Sequence, residues 1–207
     1  MRLKTLFICA LCLLALASCR SHNHGIEDDD ITCCPHCVLI IQPYDGISSA
    51  EAKRFAQQLS EKVATLTPVV VSRVEVRPVA PLTADLLNDQ HTRYRADKIL
   101  KRQDSELQHA DEVIVGITAS DISTSLGEKA DWGIQGLAFT GSNTCVVSTF
   151  RLTNKRDLWK LGLHEFIHAY FNASHCRNND PHCIMQSAHG KPRWDLKTGL
   201  CAACALH

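Results

Sequence analysis

The chain has 207 residues, 45% of them apolar and 21% charged, the make-up of a globular protein with a hydrophobic core, and this excludes a long disordered chain. Its 22 lysines and arginines are balanced by 22 aspartates and glutamates. Without a net field to draw a polyanion, the composition argues against a nucleic-acid partner.

The first predicted element is a targeting segment. Arg2 and Lys4 precede an apolar run over residues 6–16, too short and wrongly flanked to span a bilayer, and the run ends in Leu16-Ala17-Ser18-Cys19. This resembles a bacterial lipoprotein signal. Residues 1–18 would then be a signal peptide and Cys19 the acylated new N-terminus, tying the protein by a lipid anchor to the membrane of the bacterial cell envelope, at the outer membrane or cell surface. An ordinary cleaved secretory peptide is the competing reading, and both export the mature chain. Residues 19–32, with Glu27-Asp28-Asp29-Asp30, read as a flexible acidic tether, because they offer little apolar surface against the entropy of ordering them.

Residues 33–207 read as one folded domain. The apolar run 37–41, bounded by Pro43 and Gly46, suits a buried strand. Ser48 and Glu51 form a capping box, and Ala52, Phe55, Ala56, Leu59, Val63 and Leu66 recur at helical spacing until Pro68. Residues 69–76 are rich in β-branched side chains and read as a second strand; a second helix is predicted from about 93 to 107, and a third strand over 113–117. Two β-α-β units in succession imply a twisted, mostly parallel sheet. Gly136, Leu137, Ala138 and Phe139, then residues 145–149, are two short strands about Gly141-Ser142-Asn143, an antiparallel edge hairpin. A third helix starts from an N-cap at Thr153 or Asn154 and runs through Leu158, Leu161, Phe166 and Ile167. Beyond His175 the chain is cysteine-rich and irregular, so it needs an external staple.

The chemistry sits on the third helix. His164 and His168 are four residues apart and share a face, so both imidazoles can reach one Zn²⁺, with Glu165 beside it. Such a zinc keeps a position open for water and polarises a carbonyl, while Glu165 as general base takes the water's proton and relays it to the leaving amine. His175 supplies a third nitrogen after the helix, and Met185 follows at a distance that suits a methionine turn under the metal. Of eleven cysteines, Cys9, Cys12 and Cys19 lie at the N-terminus, whereas Cys176, Cys183, Cys201 and Cys204 neighbour the histidines at spacings that suit a metal.

His175-Cys176, Cys183-Ile184-Met185 and Cys201-Ala202-Ala203-Cys204 in that order, together with the zinc helix, resemble the archaemetzincins, a branch of the metzincin metallopeptidases. Upstream, residues 93–97, 115–118, 136–138 and 147–149 extend the resemblance over most of 37–204. It implies an α+β, metzincin-like fold: a twisted mostly parallel sheet with the edge hairpin, two packing helices plus the zinc-site helix, and a small cysteine-rich C-terminal subdomain. The catalytic cleft would lie between 33–175 and 176–207. It also implies a zinc-dependent peptidase with two zinc ions per chain, one catalytic at His164, His168 and His175, one structural at the four cysteines. Two disulfides are the competing arrangement of those cysteines.

This sequence departs from the family at several points. Phe171 stands where a glycine usually ends the zinc helix, Ile167 replaces a second glycine, the third histidine comes one residue late, and the cysteine spacings differ. After glycine, asparagine best tolerates the left-handed conformation, so the helix is expected to run on to turn at Asn172 and return His175 to the metal.

An extended peptide or protein substrate would lie antiparallel to the edge strand Gly136, Leu137, Ala138 and Phe139, and the protein is expected to be a monomer. The alternative is a catalytically weak or inactive zinc-stabilised surface lipoprotein that binds a partner, with Phe171 and Ile167 narrowing the cleft. Cys34-Pro35-His36-Cys37 lacks the strand-then-helix context of a redox pair, so Cys33, Cys34 and Cys37 read as a local disulfide or metal site. Cys145 reads as a buried apolar residue. Trp132, Trp159 and Trp194 are expected in the core or lining the cleft, Asp157 and Lys160 on the outer face of the zinc helix, and the remaining histidines in solvent.

Overall fold

The computed structural model describes residues 36–187 and 193–205. The expectations for the signal peptide, Cys19, the tether, Cys33, Cys34 and the histidines at 22, 24, 189 and 207 lie outside these residues.

Among the described residues, eight strands and three α-helices follow one another as β1 His36–Pro43, α1 Ser49–Leu66, β2 Val70–Val76, β3 Tyr94–Arg95, α2 Ala96–Asp104, β4 Glu112–Thr118, β5 Ile122–Leu126, β6 Lys129–Ile134, β7 Gly136–Ala138, β8 Thr144–Ser148 and α3 Leu158–Phe171. A five-stranded sheet has the order β2-β1-β4-β8-β7, parallel except for β7, which pairs antiparallel with β8 at the edge. The mixed architecture, mostly parallel sheet and edge hairpin agree with the sequence reading. Among the described residues, no helix is long and apolar enough to cross a membrane.

Alternation along the central strands builds the two layers. Leu39 and Ile41 of β1, Val113 and Val115 of β4, and Cys145 and Val147 of β8 point to one face, where α1 and α3 pack. On the opposite face Tyr44, Ile99, Leu100, Ile122 and Val146 form a second core under α2. Helix α1 begins with the expected capping box, the Ser48 hydroxyl accepting from the Glu51 amide and the Glu51 carboxylate accepting from the Ser48 amide. Such a cap contributes about 1 kcal/mol. Helix α3 comes close to α1 because Gly162 presents no side chain: a Cβ there would stand 2.7 Å from the Phe55 ring.

Two sequence expectations need correction. The second helix starts at Ala96, not near residue 93, and ends at Asp104. Tyr94 and Arg95 pair instead with β5, and the Arg93 guanidinium is drawn into ion pairs with Asp121 at 2.8 Å and Asp131 at 2.7 Å. These residues serve a three-stranded sheet, β3-β5-β6, that the sequence reading missed. Its hairpin strands Ile122–Leu126 and Lys129–Ile134 are short and mostly polar, so their apolar periodicity is faint. The second correction concerns Asp157 and Lys160. Asp157 is buried and Lys160 half-buried rather than on an outer face, and the two form an ion pair at 2.8 Å.

Candidate metal centre and cleft

Helix α3 carries the site. Asn154 caps a short 3₁₀ turn, Lys155–Asp157, its side chain accepting from the Arg156 amide, and α3 follows directly. The helix ends at Phe171, and Asn172 takes φ 52°, ψ 28°, the left-handed turn expected of it. That reversal carries the chain through Ala173 and Ser174 to His175. His175 is solvent-exposed as a residue, yet its ring lies 5.2 Å from that of His164 and 4.6 Å from that of His168. One ligand atom from each of the three histidines lies within 4.8 Å of the others.

The hydrogen bonds decide which nitrogens face inward. The Nδ1 of His164 lies 2.8 Å from the Ile184 carbonyl, and that of His168 contacts the Ala173 carbonyl. A carbonyl only accepts, so each Nδ1 carries the proton and each Nε2 presents a lone pair. The two Nε2 atoms are 3.1 Å apart. Two lone pairs so close repel unless a cation sits between them, and two nitrogens at about 2.0–2.1 Å from a tetrahedral zinc would stand about 3.3 Å apart. The donor set therefore fits a metal ion. Burial, and next the charge of His168, pull His164 down to about 3, and burial lowers His168 as well, so both imidazoles are neutral, as ligands must be.

Glu165 follows His164 on the helix and is equally buried. Burial pushes its carboxyl up to about 8. The carboxylate packs against β7, where a Cβ on Gly136 would stand 2.5 Å from Glu165 Oε1. The edge strand proposed from sequence thus runs directly over Glu165, although the strand stops at Ala138 and Phe139 lies beyond it.

Cys176, Cys183, Cys201 and Cys204 bring their sulfurs within 4.8 Å of one another. None is in a disulfide. The Sγ atoms of Cys176 and Cys201 are 3.6 Å apart, far beyond the ~2.05 Å of an S–S bond and near the ~3.8 Å expected between two thiolates on one tetrahedral zinc. Against burial, hydrogen bonds from Cys176 and Cys204 pull the Cys201 thiol down to about 7. The cluster ties three turns of irregular chain. Cys176 N donates to Met185 O, and Ile184 N to Gly199 O, both at 2.7 Å. Met185 is 1% exposed under this turn.

A cleft of about 1030 Å³ is lined by Gly136, His164, Glu165, His175, Gln186 and Lys197 among others. Trp132 and Trp194 line it too, whereas Trp159 does not. Ile167 is buried in the core and Phe171 packs against it, and neither lines the cleft, so these departures from the family do not narrow it. Cys37 and Cys145 are each fully buried in strands of the sheet, and His36, His91, His109 and His182 are exposed.

Several contacts that shape the cleft were missed from sequence, although Trp194 itself was expected in the core or lining the cleft. The Lys160 ammonium donates to the Trp194 carbonyl at 2.6 Å, and the Trp194 indole donates to Gln135 Oε1 at 2.7 Å. Trp194 meets the His164 ring edge-on at 5.8 Å. A signal for this existed: Asp157, Lys160, His164 and His168 fall on one helical stripe by spacing alone. No comparable signal marked Gln135 or Lys197.

No protein-family model and no curated protein matches the sequence. Solved structures do. An archaemetzincin from Methanopyrus kandleri superposes with a TM-score of 0.63 at 22% identity, over 83% of this chain and 93% of that one. An archaemetzincin from Archaeoglobus fulgidus, complexed with malonate, gives 0.59 at 23% identity over 81% and 97%. A zinc-dependent peptidase from Methanocorpusculum labreanum gives 0.59 at 22% identity over 80% and 97%. Over most of its length, the chain therefore has the fold of the archaemetzincins.

Proposed function

We propose that the protein is an archaemetzincin-like, zinc-dependent peptidase that cleaves peptide or protein substrates in this cleft, with His164, His168 and His175 as zinc ligands and Glu165 as general base. The observation that carries the reading is the convergence of three imidazoles beside a buried carboxylate, with His164, His175 and Glu165 lining one open cleft. Zinc bound there supplies Lewis acidity towards a substrate carbonyl and an acidified water.

The rest of the chemistry belongs to the chain. Glu165 takes the proton of the attacking water and hands it to the leaving amine, and burial, by raising its affinity for protons, suits it to both tasks. The Ile184 and Ala173 carbonyls hold the His164 and His168 rings in one tautomer and orientation. An extended peptide adds antiparallel to the Gly136–Ala138 edge and passes in front of Glu165. Gly136 leaves that carboxylate its space.

In this reading Cys176, Cys183, Cys201 and Cys204 hold a second, structural zinc that pins both ends of the loop bearing Met185. The mature chain works as a monomer anchored to the bacterial envelope by a lipid on Cys19, a point that metabolic labelling with a fatty acid, and its loss in Cys19→Ala, would test. For the activity, the full chain is assayed for zinc content and for hydrolysis of a peptide library. Two zinc ions per chain and cleavage abolished by chelation or by Glu165→Gln are expected. Cleavage indifferent to Glu165→Gln would remove the peptidase reading.

A further inference from the structure

Lys197 is 6% exposed, an unusual place for a lysine, and it lines the same cleft as His164 and Glu165. Buried ammonium groups are ordinarily paired. Among the described residues, the lysine ion pairs belong to Lys155 and Lys160, and the lysine ammonium hydrogen bonds to Lys98 and Lys160. The segment 188–192, Ala-His-Gly-Lys-Pro, contains no carboxylate that could serve Lys197. In the lining of the same cleft, Gln186 Oε1 is buried with no hydrogen-bond partner. Among the described residues, the cleft lining thus holds a buried ammonium with no ion pair and a buried amide oxygen with no donor. An extended peptide carries both missing groups, a carboxylate and a backbone N–H.

The charge of Lys197 also reaches beyond its own residue. Burial disfavours it and lowers the ammonium's affinity for its proton, Cys183, Asp180 and Cys176 favour it in turn, and it disfavours protonation of His164. The ammonium is therefore near enough for its charge to be felt at both the histidine centre and the cysteine cluster.

We propose that Lys197 is a specificity-determining residue, and that the cleft selects peptides with a carboxylate next to the scissile bond, either an aspartate or glutamate side chain or a free C-terminus. Lys197 pairs with that carboxylate, and Gln186 Oε1 accepts a neighbouring peptide N–H. The inference rests on the peptidase reading for the ligand being a peptide, but its test needs no turnover.

Zinc-loaded full-length protein carrying Glu165→Gln is titrated calorimetrically with matched peptides: one acidic, one with the acid replaced by its amide isostere, and each with a free or amidated C-terminus. The carboxylate form is expected to bind roughly tenfold or more tightly than the neutral one, as a charged hydrogen bond requires. The side-chain and C-terminal arms tell the two sources apart. Lys197→Met should erase the preference while keeping the zinc content. Equal binding of acidic and neutral peptides, or an unchanged preference in Lys197→Met, would overturn the proposal. So would equal binding joined to loss of the second zinc in Lys197→Met, which would assign the ammonium to the thiolates. A second measurement avoids the variant: carbodiimide coupling of the bound acidic peptide should join its carboxylate to Lys197, read by peptide mapping. Coupling to another lysine alone, or none, counts against the inference. Absence of hydrolysis by the unaltered protein would defeat the peptidase reading and leave this binding result standing.

Discussion

The histidine centre and the cysteine cluster are built from the same short stretch of chain, yet they are opposite constructions. His164 and His168 ride on α3, a helix packed against the sheet and α1, His175 follows the turn that ends it, and His164 and His175 line the cleft. The four cysteines sit on irregular chain, their backbone held by a few isolated bonds such as Cys183 to Gly199, and none of them lines the cleft. A rigid element can present an open site because packing already fixes its ligands. Irregular chain cannot, so under the proposed reading its ligands would close around an ion and the ion would do the fixing. Cys176 next to His175 joins the two: the closed cluster holds the end of the loop that completes the open one.

This contrast can be broken one side at a time. The largest effect is expected from Glu165→Gln, which should leave zinc content and melting temperature near those of the parent while kcat falls by roughly 10²–10⁴-fold. Cys201→Ser should do the reverse in kind, costing about 3–5 kcal/mol or more of stability through loss of one zinc ion; a calorimetric melt and metal analysis on the same sample would read it. If the cluster were mere packing, the serine variant would keep both the metal and the melt.

Gly136→Ala tests how tightly the edge strand confines the base. The added methyl would stand 2.5 Å from Glu165 Oε1, so one of the two must move, and a shift near 1 Å should cost about 10²-fold in kcat/KM with little change in thermal stability. An alanine variant as active as the parent would show that β7 has room to spare. The smallest effect belongs to the joint between the regions. Asn172→Ala puts a methyl side chain at φ 52°, and a destabilisation of about 1 kcal/mol is expected in chemical denaturation, with Asn172→Gly close to neutral. Full stability in the alanine variant would mean that the turn can be made another way.

Much of this was legible in the chain because the signals were local. Capping at Ser48, the valine and isoleucine runs of the central strands, and the asparagine that ends α3 each act within a turn or a few residues, where propensity and pattern hold their full weight. The three-stranded sheet was not legible, since beyond Ile122 and Ser123 the strands Ile122–Leu126 and Lys129–Ile134 bury little, and Arg93 reaching Asp121 and Asp131 ties them to distant chain. Asp157 and Lys160 were misplaced for a related reason: charged residues on a helix belong in water unless something distant covers them, and here Trp194 does.

By itself the sequence determined the ligand types, the helix that carries two of them and the residue at which that helix turns, because backbone geometry over a few residues settles these. Only the tertiary structure decided that His175 returns to its partners, that four thiols separated by up to a subdomain's length meet, and that Gly136 lies over Glu165. Lys197 faces the cleft for the same reason. These are meetings of residues far apart in sequence, and packing of the whole core is what brings such residues within a few ångströms.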